Sequence, residues 1–447
     1  MASHPRSPVH PHDNMPNVIS GRRERVPKHR WTIGLLLGGG ILVSYFDRIN
    51  LSVASPQLQQ EFGLSPAEMG LLFSAFFWTY ALLQIPVGMI LDRFGVKTIG
   101  RWGAFLWGLA STITSFATGF QSVLTARALL GLAEAPGFPV SSKATGYWFP
   151  RKERAMATAI FDAAAKFSNV IGVPLVAFAV VKWGWRWGFG LTAVLSFIYF
   201  SFFYLFYRNP SEDTRLTEIE YRYIKDGGGV PEERSSGSVL GMLSYLLKQR
   251  KIWGLLLGFA AYGYVFYLFL TWLPGYLVQT MHMSIIQSAG YATIPWAVAT
   301  ITDLIAGGWL IDHLIAKGKD ETTVRKTVLV TGMLLGLAVV GATLTHRPGW
   351  AILWISISLG GLAAAAPVGW SLPSLIAPKG GVGTVGGIIN FANNMMGAAA
   401  PVVTGFIVHT THSFTKAFLV AGAILGAGII SFVFLMGKIE PISEPTN

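Results

Sequence analysis

Long apolar runs recur along the whole 447-residue chain and limit the folds that it can adopt. Each run is about 20 residues long, which is the length of a helix that crosses a bilayer. Charged residues make up 13% of the sequence, about half of the roughly 25% that is usual in soluble proteins. A water-soluble fold would have no place to bury this much apolar surface. The pattern therefore predicts an all-α membrane protein with many spans.

Twelve of these runs are predicted to be membrane-spanning helices, arranged as two halves of six. Their approximate limits are 31–55, 67–91, 98–118, 121–147, 154–181, 186–207, 252–279, 286–312, 325–345, 350–376, 381–409 and 414–437. Residues 1–30 lack the apolar core of a signal peptide, so we expect a disordered tail. The halves, residues 31–207 and 252–437, are joined by a polar linker (208–251) with a short surface helix near Glu218. Residues 438–447 form a second tail.

Basic residues fall mainly on one side of the predicted membrane. Of the 34 Lys and Arg, 27 lie in segments assigned to that side, four lie on the other side and three lie within spans. This is the positive-inside asymmetry, so we expect a protein of the inner (plasma) membrane with both termini in the cytoplasm. The same asymmetry explains the net charge of +12 without nucleic acid as a partner. The chain has no cysteine, and we expect no cofactor and no metal site.

A short motif recurs at the same point of each predicted half. Gly88-Met-Ile-Leu-Asp92 closes the second span, and Gly308-Trp-Leu-Ile-Asp312 closes the eighth span, six spans later. Recurrence of this kind favours parallel repeats related by an axis along the membrane normal. In such an architecture the substrate lies between the halves, near the middle of the membrane.

Ionisable residues inside the predicted spans are the main functional signal. A charge at such a depth costs roughly 2.5–3.5 kcal/mol to insert, and intramembrane charges commonly face a wet interior and bind protons or substrate. The seven are Asp47, Arg48, Arg127, Glu134, Asp162, Lys166 and Asp303. Six lie in the first half, three cationic and three acidic. Protonating one acid would leave that set net positive, which favours a proton-coupled carrier of anions.

Helical spacing predicts how the charges of the first and fourth spans are arranged. Arg127 and Glu134 are two turns apart and share a face. Gly131 lies between them and permits the close approach of a helix or ligand. On the first span Arg48 shares a face with Tyr45, whereas Asp47 points towards a neighbouring helix. The alternatives are a structural ion pair in the fourth span and snorkelling to the membrane surface in the first.

The fifth and eighth spans carry further charges. Asp162 and Lys166 form an i,i+4 pair in the favoured order. One interpretation is that the two charges only neutralise each other. The other is that the pair acts on the substrate, with Lys166 either as a second cation for a diacid or as one half of an ion pair that the substrate breaks. Asp303 stands alone in the eighth span and is either linked to protons or kept neutral by burial.

Aromatic and amide side chains within the spans suit a polyhydroxylated ligand. Tyr80 and Gln84 share a face of the second span. Trp370 in the tenth span offers a ring face for a sugar, and Asn390 in the eleventh span offers an amide. Each of them, taken alone, is also typical of plain helix packing.

Together these motifs resemble the major facilitator superfamily. Gly88-x3-Asp92-Arg93-x-Gly95-x-Lys97 is similar to the loop motif of that superfamily, which implies a gating role for Gly88, Asp92, Arg93 and Gly95. Three further motifs resemble those of its anion:cation symporter branch. That branch includes galactonate, glucarate and hexuronate carriers. The three motifs are Tyr-x-Asp-Arg-x-Asn in the first span, Arg-x3-Gly-x2-Glu-Ala-Pro in the fourth, and Trp148-Phe149-Pro-x2-Glu153-Arg154.

The resemblance implies alternating access and proton-driven uptake of a sugar acid. In those carriers the acids of the first and fourth spans take protons, and arginines beside them pair with the acids and with substrate. The corresponding residues here are Asp47 and Glu134 as acids, Arg48 and Arg127 as arginines, and Tyr45, Tyr80, Trp370 and Asn390 as the lining of the sugar site. The chain departs from those carriers in the fifth span, where they usually have Gln in place of Lys166 and no acid in place of Asp162.

We therefore expect a monomeric proton-coupled symporter of the lipid bilayer that imports a small carboxylate, namely a hexonate, hexarate or hexuronate. Uptake of a non-sugar carboxylate, such as an aromatic or C4 acid, is the main alternative. An antiporter is disfavoured because Gly172-Val-Pro lacks the glycine-rich antiporter motif. A non-transporting sensor is disfavoured because long signalling segments are absent. The spans contain no metal-binding histidine cluster, so we do not expect an enzyme.

Overall fold

The computed structural model describes residues 26–150, 153–229, 239–378 and 381–444. These residues form helices and connecting turns, and no strand occurs among them. Most of the predicted first tail (residues 1–25), residues 230–238 of the linker and residues 445–447 lie outside the described residues. Ten helices of the described chain are long and apolar enough to cross a membrane. The predicted all-α class is confirmed.

The first half of the molecule is built from six helical segments. They are α1 His29–Phe62, α2 Pro66–Ser115, α3 Phe120–Glu134, α4 Gly137–Trp148, α5 Arg154–Trp183 and α6 Trp185–Phe206. α1 continues seven residues past its predicted end and stops where Gly63 adopts a φ of 64°. α2 contains two predicted spans, which meet at a sharp break at Gly95 (φ 77°, ψ 165°). Glycine reaches this backbone conformation readily because it has no Cβ.

The fourth predicted span is divided into α3 and α4. Pro136 lies at the division; a proline within a helix donates no backbone hydrogen bond, and its ring crowds the preceding turn. Glu134 is therefore the last residue of α3. A predicted site residue thus lies next to a discontinuity of its own helix.

The second half repeats this arrangement after the linker. The linker contains the expected helix α7 Glu218–Asp226 and a second helix, α8 Val239–Leu247, that was not predicted. The second half then contains α9 Arg250–Gln279, α10 Ile285–Leu304, α11 Leu310–Ala316, α12 Glu321–Gly336, α13 Pro348–Ile376, α14 Val382–Thr411 and α15 Phe414–Ile430. A π-helical segment (305–309) joins α10 to α11, a 3₁₀ segment (337–344) extends α12 and a π-helical segment (431–435) extends α15.

The same start signal opens the second helix of each half. Ser65 and Glu68 form a capping box at α2, and Ser284 and Gln287 form one at α10. In both boxes the serine side chain accepts from the third backbone N–H, and the longer side chain accepts from the serine N–H. This local match agrees with the pseudo-symmetry of the two six-helix halves.

Three pairs of helices make the main contacts between the halves: α1 with α9, α2 with α14, and α5 with α10. At the end of the bundle where α1 and α9 finish, Ser52 Oγ donates to the Thr271 carbonyl at 2.6 Å, and Gln279 Nε2 donates to Gln59 Oε1 at 2.7 Å. The described halves are therefore hydrogen-bonded to each other at that end.

The outer surface of the bundle is apolar. On α6, for example, Ile198, Phe202 and Leu205 are about half exposed. Exposed apolar side chains along entire helices would be unstable in water, but they match the hydrocarbon of a bilayer. The protein is therefore a multi-pass membrane protein.

The linker is tied to the start of α1 by buried charges. Both backbone N–H groups at His29 and Arg30 donate to the Glu220 carboxylate at 3.0 Å, and Arg30 Nη1 donates to Glu220 Oε1 at 2.8 Å. Arg30 also donates to Glu153, which precedes α5, at 2.7 Å. A carboxylate suits the N-terminal end of a helix, where N–H groups are unpaired and the helix dipole is positive.

A second carboxylate of the linker, that of Asp213, joins this contact. Burial alone would raise the pKa of Asp213, but hydrogen bonds from Arg215 and the ring of His29 lower it to about 2. Asp213 is therefore ionised at neutral pH, and it is held by Arg215 at 2.7 Å and by His29 at 3.1 Å.

Replacing Glu220 with glutamine is expected to destabilise the protein by about 3 kcal/mol, because buried Arg30 keeps only Glu153 as a carboxylate partner and the start of α1 loses the carboxylate that accepts from its N–H groups. The measurement is the melting temperature of the purified chain in detergent. The matched control is Glu218→Gln, because Glu218 lies on the same helix with its side chain 68% exposed. Equal melting temperatures for the two variants would contradict the proposed anchoring of α1.

Candidate functional site

Arg48 lies at the centre of a buried cluster formed by α1, α2 and α3. Its guanidinium carbon lies 4.7 Å from the ring centroid of Tyr45, 4.6 Å from that of Phe76 and 5.0 Å from that of Tyr80. Its Nε donates to Glu134 Oε2 at 3.0 Å. Aromatic faces and a carboxylate together stabilise a planar cation that has little contact with water. The structure thus brings three predicted site residues to Arg48.

Arg127 lies beside this cluster with part of its hydrogen-bonding capacity unused. Its Nη1 donates to the backbone carbonyl of Asp47 at 3.0 Å, and its guanidinium carbon lies 5.6 Å from the Phe76 ring centroid. Within the described residues, Arg127 Nε and Glu134 Oε1 are buried without a hydrogen-bond partner. Unpaired buried polar atoms are rare in proteins and call for an explanation, often a functional one.

Asp47 is fully buried and faces away from Arg48, as the spacing predicted. Its Oδ1 accepts from Ser111 Oγ at 2.5 Å, and its Oδ2 accepts from Ser196 Oγ at 3.0 Å. The resemblance implied arginine partners for both acids. Glu134 has one, whereas the side-chain partners of Asp47 among the described residues are hydroxyls of α2 and α6, because adjacent residues on a helix point about 100° apart.

The second half contributes an amide and tyrosine network that faces the Arg48 cluster. Tyr267 of α9 packs against Phe77 of α2 with ring centroids 4.7 Å apart. Its hydroxyl accepts from Asn393 Nδ2 at 3.4 Å and donates to Asn394 Oδ1 at 3.5 Å. Asn394 in turn donates to Asn390 Oδ1 at 3.0 Å. The predicted Asn390 is therefore linked to the first half through Tyr267, a residue that was not predicted.

A sequence signal for Tyr267 was available. The first span of each repeat occupies an equivalent place, so a hydroxyl-bearing aromatic in the seventh span corresponds to Tyr45 in the first. Four tyrosines lie in α9, and the packing decides which of them meets the other half. They are Tyr262, Tyr264, Tyr267 and Tyr276.

Gln84 and Trp370 lie at the edge of this assembly. Gln84 is half-buried one turn after Tyr80 and donates to the Tyr80 carbonyl at 3.4 Å. Trp370 on α13 is 37% exposed and packs edge-on against Phe259, with ring centroids 5.2 Å apart. The described contacts do not bring Trp370 to Arg48, and its place in a sugar site stays a prediction.

Asp162, Lys166 and Asp303 form a second charged cluster, between α5 and α10. Lys166 Nζ donates to Asp162 Oδ2 at 2.9 Å and lies 3.1 Å from Asp303 Oδ1. Asp303, expected to stand alone, is therefore an ion-pair partner, because α5 and α10 pack together between the halves. The predicted i,i+4 pair is confirmed as a contact.

The predicted gating motif lies around the break in α2. Gly95 is the residue with the positive φ, and Arg93 is exposed, with its guanidinium carbon 5.3 Å from the Phe94 ring centroid. Gly88 and Asp92 lie in α2, but the surroundings of these two residues fall outside the described part of the structure. The gating role stays a prediction.

Gly131 permits the close crossing of α2 and α3. A Cβ at this position would overlap the backbone carbonyl oxygen of Phe76 and the hydroxyl of Thr79. Thr79 Oγ1 also donates to the Ala128 carbonyl at 2.6 Å across the same contact. The neighbour that the glycine was predicted to admit is thus helix α2.

Gly131→Ala is expected to force α2 and α3 apart and to lower stability by about 1–3 kcal/mol or more. Folded yield and melting temperature are the readouts. Gly146→Ala on α4 is the control, because a Cβ at Gly146 meets nothing within 4 Å. If Gly131→Ala were as stable as this control, the crossing would be looser than described.

Sequence comparisons identify relatives along nearly the full chain. The uncharacterized transporter YybO of Bacillus subtilis (strain 168) is 41% identical over 427 residues, covering 95% of this chain and 98% of the relative. The D-galactonate transporter of Escherichia coli O6:H1 is 32% identical and covers 90% and 94%. The probable galactarate/D-glucarate transporter GarP of Escherichia coli (strain K12) is 32% identical and covers 92% and 95%. These relatives are named as transporters.

Structural comparison agrees at the level of the fold. The D-xylose-proton symporter aligns with a TM-score of 0.70 at 16% identity, covering 93% of this chain and 98% of that one. The family model of the Major Facilitator Superfamily matches residues 37–401. With its paired six-helix halves and its sugar-acid transporter relatives, this chain belongs to the major facilitator superfamily.

Proposed function

We propose that the protein is a proton-coupled symporter that imports an organic anion, most specifically a sugar acid. The observation that carries this proposal is the buried Arg48–Glu134 ion pair with Arg127 beside it. Among the described residues, Glu134 Oε1 and Arg127 Nε are buried without hydrogen-bond partners. The relatives named as galactonate and galactarate/D-glucarate transporters support the substrate class.

The charges of the site explain how a proton and an anion would be coupled. With Asp47 and Glu134 ionised, the two arginines are neutralised and offer no net attraction to a carboxylate. A proton on Glu134 removes the partner of Arg48 and leaves a net positive site. The planar guanidinium then binds a carboxylate of the substrate in two-point geometry. Loss of the proton restores the ion pair and releases the anion.

Hydroxyl and amide groups opposite the arginines favour a polyhydroxylated substrate. The Tyr45 and Tyr80 rings surround Arg48, and the network from Tyr267 to Asn390 faces them from the second half. A sugar acid would then place its carboxylate on the first half and its hydroxyls on the second.

Transport by alternating access requires the contacts between the halves to break and re-form. The hydrogen bonds from Ser52 to Thr271 and from Gln279 to Gln59 close one end of the bundle in the described conformation. We place both termini in the cytoplasm, in an inner membrane, and treat the monomer as the transporting unit. If a monoanion enters with two protons, one net charge crosses, and 100 mV contributes about 2.3 kcal/mol per cycle.

The test is a flux assay with the purified chain in liposomes. An inward proton gradient is imposed, and uptake of labelled galactonate and galactarate is measured against an aromatic and a C4 carboxylate. We expect accumulation of a sugar acid above its outside concentration, together with proton uptake by the vesicles. Flux that runs opposite to the protons would identify an antiporter, and accumulation of only the non-sugar acids would overturn the substrate class.

A further inference from the structure

The cluster of Asp162, Lys166 and Asp303 joins the two halves in the interior of the protein. Lys166 is 5% exposed and Asp303 is also 5% exposed, whereas the side chain of Asp162 is 33% exposed. Lys166 belongs to the first half and Asp303 to the second. The cluster therefore lies where the halves must separate during transport, and it is partly exposed on the Asp162 side.

The two carboxylates do not hold Lys166 equally. Lys166 Nζ makes an aligned hydrogen bond to Asp162 Oδ2 at 2.9 Å. Asp303 Oδ1 lies 3.1 Å from Nζ, but within the described residues it has no hydrogen-bond partner of good alignment. A third acceptor with better geometry would therefore replace Asp303 more readily than Asp162.

Lys166 lies close to the level of the Arg48 cluster. α1 and α5 pack along each other, and Tyr45 lies in the same small apolar cluster as Ala165. Arg48 is one turn further along α1, roughly 5 Å. Arg48 and Lys166 are thus cations on neighbouring helices at a similar level of the bundle, an arrangement that suits a ligand with an anionic group at each end.

The charge count sets a condition on this exchange. One ammonium between two carboxylates gives this cluster a net charge of −1 if all three groups are ionised, which would repel a second anion. The exchange therefore takes place with a proton on Asp303, which makes the cluster neutral and leaves no unpaired carboxylate in the interior. A monoacid held at Arg48 would gain nothing from Lys166, which is already bonded. A second anionic group can gain a charge-assisted hydrogen bond, because an ammonium has three donors.

We propose that Lys166 binds a second anionic group of the substrate in exchange for Asp303, so that the transported acid is a dianion such as a hexarate. This inference rests on the proposed function and specifies its substrate class. The exchange also breaks the ion pair between α5 and α10. Binding of the correct substrate thereby loosens one contact that holds the halves together.

The experiment compares two ligands that differ at one end only. Galactarate carries a carboxylate where galactonate carries a hydroxymethyl group. Binding of each to the purified full chain is measured by calorimetry, for the wild type, Lys166→Gln and Asp303→Asn. The wild type is expected to prefer galactarate. Lys166→Gln is expected to weaken galactarate binding on the order of 10–100-fold, the range for a hydrogen bond to a charged group, and to leave galactonate within about threefold.

Asp303→Asn separates ligand binding from a purely structural bridge. It breaks the same contact between the halves but leaves the ammonium in place, so galactarate binding is expected to tighten or stay equal. Parallel losses for both ligands in both variants would show that the bridge is only structural and would overturn the proposal. The proposal would also be overturned if Lys166→Gln bound galactarate as tightly as the wild type does.

Folding and the wider proposal are checked separately. Melting temperatures identify a variant that fails to fold. In that case the binding measurement is repeated with the double variant Lys166→Gln/Asp303→Asn, which removes the charges of both bridge partners. This double variant is expected to lose the galactarate preference. If galactonate uptake is driven by protons but Lys166→Gln does not change the ligand preference, only this inference is overturned. If the ligand preference depends on Lys166 but no flux is driven by protons, only the symporter proposal is overturned.

Discussion

Glu134→Gln is expected to abolish uphill, proton-driven accumulation while substrate exchange across the membrane continues. Glutamine has nearly the size of a protonated glutamate but takes up no proton, so Arg48 is released from its partner permanently. The accumulation ratio in liposomes should fall to about one. Counterflow of labelled against unlabelled substrate should persist, because it needs binding and rocking of the halves but no net proton movement.

Glu61→Gln is the matched control for this loss. Glu61 lies at the end of α1, pairs with Arg186 at 2.7 Å, and both side chains are about 40% exposed. An exposed pair of this kind contributes little, and its loss should leave accumulation unchanged. Normal accumulation by Glu134→Gln would exclude Glu134 as the coupling acid and would direct attention to Asp47.

Arg48→Gln is expected to produce the largest loss of substrate binding. The variant removes the guanidinium that would hold the carboxylate, and truncating one member of a buried charge pair costs about 2–5 kcal/mol. This corresponds to a loss of affinity of roughly 30-fold to several-thousand-fold. Binding is measured by calorimetry with the purified protein, and uptake is measured in liposomes.

The single variant also leaves Glu134 buried without its partner, so stability must be separated from binding. The double variant Arg48→Gln/Glu134→Gln carries no net charge at the pair and is expected to regain a melting temperature near that of the wild type. It should still fail to bind substrate. Arg222→Gln, whose side chain is 73% exposed on α7, is the control for arginine loss. Substrate binding by the double variant at wild-type affinity would show that the anion is held elsewhere.

The helical architecture was predictable because its signals are local. Apolar runs, the capping residues Ser65 and Ser284, and the φ requirement at Gly95 each act within a few residues of the chain. The predicted spans therefore agree with the helices to within a few residues at most ends. The division at Pro136 and the short helix α8 were missed, since a single proline or a nine-residue, mostly apolar segment weighs little against a strong membrane pattern.

The contacts of the site were only partly predictable. The shared face of Arg48 and Tyr45 follows from helical spacing, and so does the opposite direction of Asp47. The partner of Arg48 does not, because Glu134 is 86 residues away and meets it only when α1 and α3 pack against α2. Tyr267 and Asp303 were missed or left without a partner for the same reason, since both act across the interface between the halves.

The sequence by itself determined that this chain is a membrane protein of repeated helices with charges inside its spans. Those properties depend on the free energy of transfer of each segment into hydrocarbon, which is a sum over neighbouring residues. Only the tertiary structure decided which charges pair: Arg48 with Glu134 inside the first half, and Lys166 with Asp303 between the halves. Pairing in a low-dielectric interior depends on distances of 3–4 Å between side chains far apart in the chain, and these distances arise only from helix packing.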